Sequence, residues 1–375
     1  MTLLALLCAA MAQTPQSESY LDRTVQLMEL SRADLPGMAA PAEAAAKMLA
    51  DGGRLFASGD PGLVSEISGR AGGFMMIRPL SGSTLQANDV LLHFALPGVR
   101  ETLPANPPKD AFAAVFGECA AGSGAACFPG HGAEAGVSPR LAAAADAWLF
   151  TGEMIAALTR LGKMPVIYES IGAYGGNARM VQYKNGEIGF HEDAKVPPVA
   201  AGAVGGRFVD EICRMLRRVA AEERDDLART GAWARGAREQ GGALFMYSMG
   251  HLFPFEVDDT AIGSLFKSAV WNAGFRHPHP EDAYGPKDVV VQIGYQQPPD
   301  VLLRKACPAG ARVAYVSVRP DRDYMGGENV IWIDPMWDWP DACVPIDGYD
   351  VPLLAASGIV NGAIAWEIYR LSAQP

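Results

Sequence analysis

The chain is short of positive charge: 31 Lys and Arg stand against 42 Asp and Glu, a net charge of −11 over 375 residues. Nucleic-acid binders concentrate cations to displace counterions from phosphates, so a phosphate-backbone tracker is excluded. A small anionic ligand stays open, because backbone N–H groups at a helix start can hold one without net positive charge. The six cysteines include no C-x-x-C, which removes zinc ribbons and thioredoxin-like redox chemistry. There is no G-x-S-x-G elbow and no Ser-His-Asp order, so a hydrolase has no support. The small-residue loop Gly117–Cys127 could form an anion-binding nest or a plain surface loop. It lacks a Walker lysine and the spacing of a dinucleotide fingerprint, so no nucleotide cofactor is expected. Charged residues make up only 19% and hydrophobic ones 49%, which excludes disorder.

One long apolar run is present, Leu3 to Ala12, ending Ala-Met-Ala before Gln13. It resembles the tail of a secretory signal peptide without a basic start, so residues 1–15 are expected to be a leader remnant and the protein exported, periplasmic or extracellular; a frayed terminus on a cytoplasmic protein is the alternative. Stable membrane insertion is not expected. Loss of the leader leaves Cys119, Cys127, Cys213, Cys307 and Cys343, an odd number. Cys119 with Cys127, or Cys307 with Cys343, could bridge loops in an oxidising compartment, but the expectation for each is a small buried hydrophobe.

What the chain does have is a pattern written twice. Gly52-Gly53-Arg54-Leu55-Phe56 and Gly241-Gly242-Ala243-Leu244-Phe245 are each a helix stop followed by an apolar strand, and they align at a constant offset of 189 residues. Each follows a stretch of helical composition, Tyr20 to Asp51 and Val209 to Gln240. The spacing predicts a helix over 63–72 and strands over 54–57, 74–77, 89–94 and 112–116. In the second part it predicts helices over 208–221, 225–239, 262–271, 302–306 and from Ser357 onward, with strands over 243–247, 288–293, 311–318 and 330–333. Strands alternating with helices imply parallel sheets covered on both faces. Asn185-Gly186 between apolar stretches reads as a β-hairpin turn, and Pro197 to Gly202 as the linker. The expected organisation is therefore two domains, 16–200 and 201–375, related by internal duplication.

Glu66-Ile67-Ser68-Gly69-Arg70-Ala71-Gly72-Gly73, the loop Met249-Gly250-His251 and the stretch Asp347 to Asn361 carry a resemblance. The chain resembles the sugar isomerase (SIS) family of phosphosugar-binding domains. The resemblance implies two doubly wound α/β sandwiches with five-stranded parallel sheets. It also implies a sugar or sugar-phosphate site at the carboxyl ends of the strands, formed by Ser58 and Gly59 in one copy and Ser248 and Gly250 in the other, with Ser357 at the last helix. The Ser-rich turn by which the family holds phosphate is replaced by Ala95 to Gly98 and by Gly294 to Pro299, where the amides of Gln296 and Gln297 could bind sugar hydroxyls.

Aldose–ketose isomerisation needs a base beside C1 or C2 and an acid to open the ring. Glu66 and Glu256 are the candidate bases and His251 the candidate acid. His277, His279, Glu281 and Asp282 are rich in ligand atoms, but a Pro-rich solvated loop accounts for them and no metal is assigned. The expectation is a protein that binds a carbohydrate derivative, as isomerase, as non-catalytic sensor, or as a scaffold that keeps the fold for assembly, with a homodimer left open.

Overall fold

The computed structural model describes residues 18–99, 102–104, 108–120, 122–170, 176–191, 195–248, 250–269, 283–295, 306–318, 328–338 and 340–374. The leader, the His277–Asp282 cluster, Gln296 and Gln297, and 302–305 of the expected helix lie outside them.

Ten helices and fourteen strands are present among the described residues. The helices are α1 Tyr20–Ala50, α2 Pro61–Ile67, α3 Gly132–Ala135, α4 Pro139–Arg160, α5 Asn177–Lys184, α6 Ala203–Glu222, α7 Arg224–Glu239, α8 Phe253–Asp258, α9 Ala261–Leu265 and α10 Ser357–Ala373. Local chemistry starts several of them. The Ser19 hydroxyl accepts from Asp22 N, and Asp60 accepts from Leu63 N ahead of Pro61. Ser138 accepts from Leu141 N ahead of Pro139, again a cap followed by a proline whose missing N–H costs nothing there.

The first sheet holds β1 Leu55–Gly59, β2 Arg78–Pro79, β3 Val90–Ala95, β4 Phe112–Gly117 and β5 Ala126–Phe128, in the order β2-β1-β3-β4-β5. Two short pairs stand apart, β6 Met164–Pro165 with β7 Phe190–His191, and β13 Ala342–Val344 with β14 Leu353–Ala355. The second sheet holds β8 Leu244–Ser248, β9 Lys267–Ala269, β10 Val289–Ile293, β11 Arg312–Val316 and β12 Val330–Ile333, in the order β9-β8-β10-β11-β12. Both sheets are parallel throughout, and both run second-first-third-fourth-fifth in chain order. The fold is α/β with parallel sheets.

Side chains alternate across each strand, and one face of each sheet enters a shared core. Leu55, Ala57, Val90, Leu92 and Phe94 of the first sheet join Leu244, Met246, Val289, Val291 and Ile293 of the second in one continuous apolar cluster with α1, α4, α6 and α10. Each Leu, Val, Ile, Phe or Met among them contributes about 1.5–3 kcal/mol on burial. Helix α4 lies in the middle of it, with Leu141 to Thr159 buried on every face. It is long and apolar enough to cross a membrane, yet that whole stretch is buried inside the protein.

Four expectations about local structure change. Phe74 makes only a bridge to Ile167 and the strand lies further on at Arg78–Pro79, because Gly72 at φ +82 packs under Leu354 and turns the chain there. The helix expected over 63–72 ends at Ile67, where Ser68 turns extended. The helix expected over 262–271 ends at Leu265 and gives way to β9. Asn185-Gly186 closes α5 instead of turning a hairpin: Asn185 is its cap and Gly186 has φ +74, the left-handed geometry that a helix end and a tight hairpin both demand.

Cys119 and Cys127 form a disulfide, tying the end of β4 to the edge strand β5. Cys213, Cys307 and Cys343 are free thiols.

Candidate functional site

A doubly wound sheet offers its crevice where the strand order reverses, outside the carboxyl ends of the two strands that part company. In the first sheet these are β1 and β3; in the second they are β8 and β10. The loops that leave β8 and β10 carry Gly250, His251, Leu252, Gly294 and Tyr295.

Those loops meet a charged cluster reaching over from the first sheet's α2. The Glu66 carboxylate accepts from Trp148 Nε1 at 3.1 Å and from Leu252 N at 3.2 Å, and lies 3.4 Å from Arg70 Nη2. Arg70 donates to Ser357 Oγ at 2.7 Å, to Asp341 Oδ2 at 3.0 Å and to the Tyr295 hydroxyl. Asp341 accepts from Ser357 N at 2.8 Å and from its hydroxyl at 3.0 Å. Glu66, Arg70, Asp341 and Ser357 are buried, Arg70 only 2% exposed, and Tyr295 is half-buried beside them. A Cβ on Gly358 would overlap Glu66 Oε1, so the carboxylate rests directly on the start of α10, where the helix dipole favours a negative charge. Burial pushes the Glu66 carboxyl above its usual range and Arg70 pulls it part of the way back. Burial takes the Tyr295 hydroxyl up to about 12.

His251 Nδ1 is 2.9 Å from the Ser65 carbonyl oxygen. A carbonyl can only accept, so Nδ1 carries the proton and Nε2 is left as an acceptor. Burial, with the nearby Arg70 charge, lowers the His251 pKa to about 3, and the ring is neutral at physiological pH.

Glu256 stands in a second cluster, apart from Glu66. Its carboxylate accepts from Trp366 Nε1 at 2.5 Å and lies 3.5 Å from Arg140 Nη1. Arg140 also holds Asp60 at 2.8 Å, Asp259 at 3.1 Å and the Phe255 carbonyl at 3.0 Å. Burial raises the Glu256 carboxyl, with Ser138 and Arg140 working against the rise. The two clusters share a plan. Trp148 stands ten residues after the cap of α4, and Trp366 ten after the cap of α10. Each glutamate bonds the tryptophan of the long helix on its own side, and each lies at the start of the long helix on the other.

The remaining expected residues sit at strand ends. Ser58 Oγ is 2.8 Å from His93 Nδ1 across the β1–β3 pair. Gly59 has φ +98, and a Cβ there would strike the Phe94 backbone. Ser248 occupies the corresponding end of β8, 3% exposed, and its hydroxyl has no partner among the described residues. Gly250 has φ +151, a backbone that side-chain-bearing residues rarely adopt. The structure thus brings Glu66, His251 and Ser357 together, keeps Glu256 in the other cluster, and leaves Ser58 and Ser248 on different sheets.

Sequence reasoning did not select Arg70, Tyr295 or Asp341 as site residues. Arg70 had a signal in its Arg-Ala-Gly-Gly context; Asp341 had none, lying 271 residues further along. Among the described residues no group of three or more His, Cys, Asp or Glu could hold a metal. Two grooves of 380 Å³ lie elsewhere, one where α1 begins beside α6, α7 and the end of α10, the other at the amino ends of β1 and β2.

No family model matches the chain, and no curated protein does. Among solved structures, the C-terminal domain of glucosamine-fructose-6-phosphate aminotransferase from Francisella tularensis superposes with a TM-score of 0.47 at 9% identity, covering 96% of this chain and 97% of that one. A protein of Salmonella typhimurium LT2 named for sugar binding superposes with a TM-score of 0.42 at 9% identity, covering 94% and 98%.

Proposed function

We propose that the protein binds a carbohydrate derivative at the carboxyl end of its second sheet, as a binding protein without turnover. One observation carries the reading: among the described residues nothing bonds the buried hydroxyl of Ser248, at the crevice between β8 and β10, in the strand end that leads to Gly250 and the neutral imidazole of His251. A buried polar group that no protein atom satisfies asks for a ligand or a water. The SIS resemblance supplies the ligand class, a sugar or sugar phosphate. Against turnover stand the two candidate bases, since Glu66 and Glu256 are 1% and 0% exposed and each accepts from a tryptophan indole. Neutral His251 suits accepting a sugar hydroxyl proton better than protonating a ring oxygen.

The shared strand order and the shared cap-to-tryptophan spacing favour duplication of a unit bounded near residue 200. The Cys119–Cys127 disulfide favours export, since such bonds persist in oxidising compartments. Recovery of protein from its native host with Met1 intact in the cytoplasm would reject export.

The test uses glucose, fructose, N-acetylglucosamine, glucosamine 6-phosphate and fructose 6-phosphate, with thermal shift and solvent-deuterium exchange at C2 read on the same samples. A shift without exchange is expected. Exchange selects the isomerase, with Glu66 or Glu256 freed by a rearrangement, and neither signal leaves the scaffold reading. His251→Ala and Ser248→Ala should reduce the shift while the protein stays folded.

A further inference from the structure

Two more buried polar groups lie at the same end of the second sheet, on its other face. Gln292 of β10 is 4% exposed and Ser317, just past β11, is fully buried. Among the described residues nothing bonds Gln292 Oε1 or Ser317 Oγ. Gln292 pairs in register with Tyr315, and Ser317 follows Tyr315 by two, so both side chains point to one face. That face is built from Phe245, Tyr247, Val290 and Val313 with Tyr284 against them, and Lys267 Nζ lies 5.2 Å over the Phe245 ring. The matching positions in the first sheet make no such demand. His93 stands at the rung of Gln292 and is bonded to Ser58, and Gly117 stands at the rung of Ser317 with no side chain at all.

We infer that Gln292 and Ser317 read an uncharged, hydroxyl-bearing part of the ligand, so that recognition on this face does not require a phosphate. The inference rests on the sugar-binding reading and narrows its ligand class. An amide oxygen accepts only, and what satisfies it is a hydroxyl or N–H donor; a phosphate oxygen beside it would be repelled. No Lys or Arg shares these rungs on β8, β10 or β11; the cation of this face, Lys267 of β9, stands at the rung of Phe245, toward the amino end of the strands. The hydroxyl of Ser317 can donate or accept, so with the Gln292 oxygen the pair matches a ligand hydroxyl.

Gln292→Met keeps the volume and removes the amide; Ser317→Ala removes the hydroxyl. Because neither Gln292 Oε1 nor Ser317 Oγ is bonded among the described residues, both variants should melt at or above the wild-type temperature. Their affinity for the member of the same five-sugar panel that wild type binds best should fall about tenfold, measured by calorimetry, and by the same factor for a phosphorylated sugar and its free counterpart. Equal affinity in variant and wild type overturns the inference alone. A melting temperature several degrees lower without ligand also overturns it, since the groups would then be holding structural water. A wild type that binds nothing in the panel removes the sugar-binding reading and this inference with it.

Discussion

The two sheets have one strand order and different chemistry at the same end. In the first, the carboxyl ends of β1 and β4 are Gly59 and Gly117, both at positive φ and pressed on neighbouring backbone, while Ser58 and His93 satisfy each other. In the second, the corresponding places hold Ser248, Gln292 and Ser317, each with a polar atom that nothing bonds among the described residues. The clusters that join the sheets differ far less: each has a buried glutamate, a tryptophan ten residues past a helix cap, and an arginine. What holds the molecule together is thus repeated, and what could meet a ligand is not. The first sheet has closed its crevice with backbone; the second has kept polar groups in its own.

The comparison breaks most decisively if the two arginines are unequal. Arg70→Met leaves Glu66 and Asp341 buried without a counter-charge, and Arg140→Met does the same to Asp60 and Glu256. Each should lose about 3–5 kcal/mol in urea unfolding, Arg140 at the lower end because Asp259 is half exposed. If only one variant is destabilised, the clusters are not equivalent.

Next comes an acid that only one long helix carries. Asp146 stands eight residues past the α4 cap, where α10 has Ile364. Burial raises its carboxyl to about 6, while Ser31 holds one oxygen at 2.8 Å. Between about pH 4 and pH 6 the folded protein keeps a proton that the unfolded chain has released, so stability should fall as pH rises through that window, by about 3 kcal/mol. Asp146→Asn should remove the slope; a slope unchanged in that variant would assign it to other groups.

The disulfide sharpens the same contrast, since it staples the edge of the first sheet alone. Its reduction should cost about 2–3 kcal/mol for so short a loop, read as a lower melting temperature in dithiothreitol that Cys119→Ser abolishes. The smallest difference is between two serines. Ser58→Ala should cost about 1 kcal/mol by loosening His93, whereas Ser248→Ala should change stability by less than about 0.5 kcal/mol.

Much of the frame was legible in residues that act locally. Glycine stops and apolar runs located β1, β3, β4, β8, β10, β11 and β12 to within a few residues, and periodicity found α1, α6, α7 and α10. Helix α4 gave no such stripe, because a helix buried on every face is apolar all round; only its Ser138-Pro139 start could have marked it. The Asn185-Gly186 reading failed because the same left-handed residue serves a hairpin and a helix end. Ser248 was legible from its place after a strand. Arg70 was marked only by its Arg-Ala-Gly-Gly context and Asp341 by nothing, since no local pattern says which distant carboxylate a buried guanidinium will meet. Gln292 and Ser317 stayed hidden because polar residues in an apolar run become conspicuous only when their missing partners can be counted.

The closing contacts of this chain arrive late in its synthesis. Tyr20 N waits for Glu367, to which it donates at 2.7 Å, and Arg70 waits for Asp341 and Ser357. At about 5–20 residues per second, a ribosome needs roughly 15–50 s to travel from Arg70 to Asp341. During that interval the first sheet can pair its strands, but the α1–α4 surface that α10 will cover faces water or a chaperone. A stall anywhere between residue 200 and residue 340 would prolong that exposure, raising the yield of aggregate without altering the finished protein.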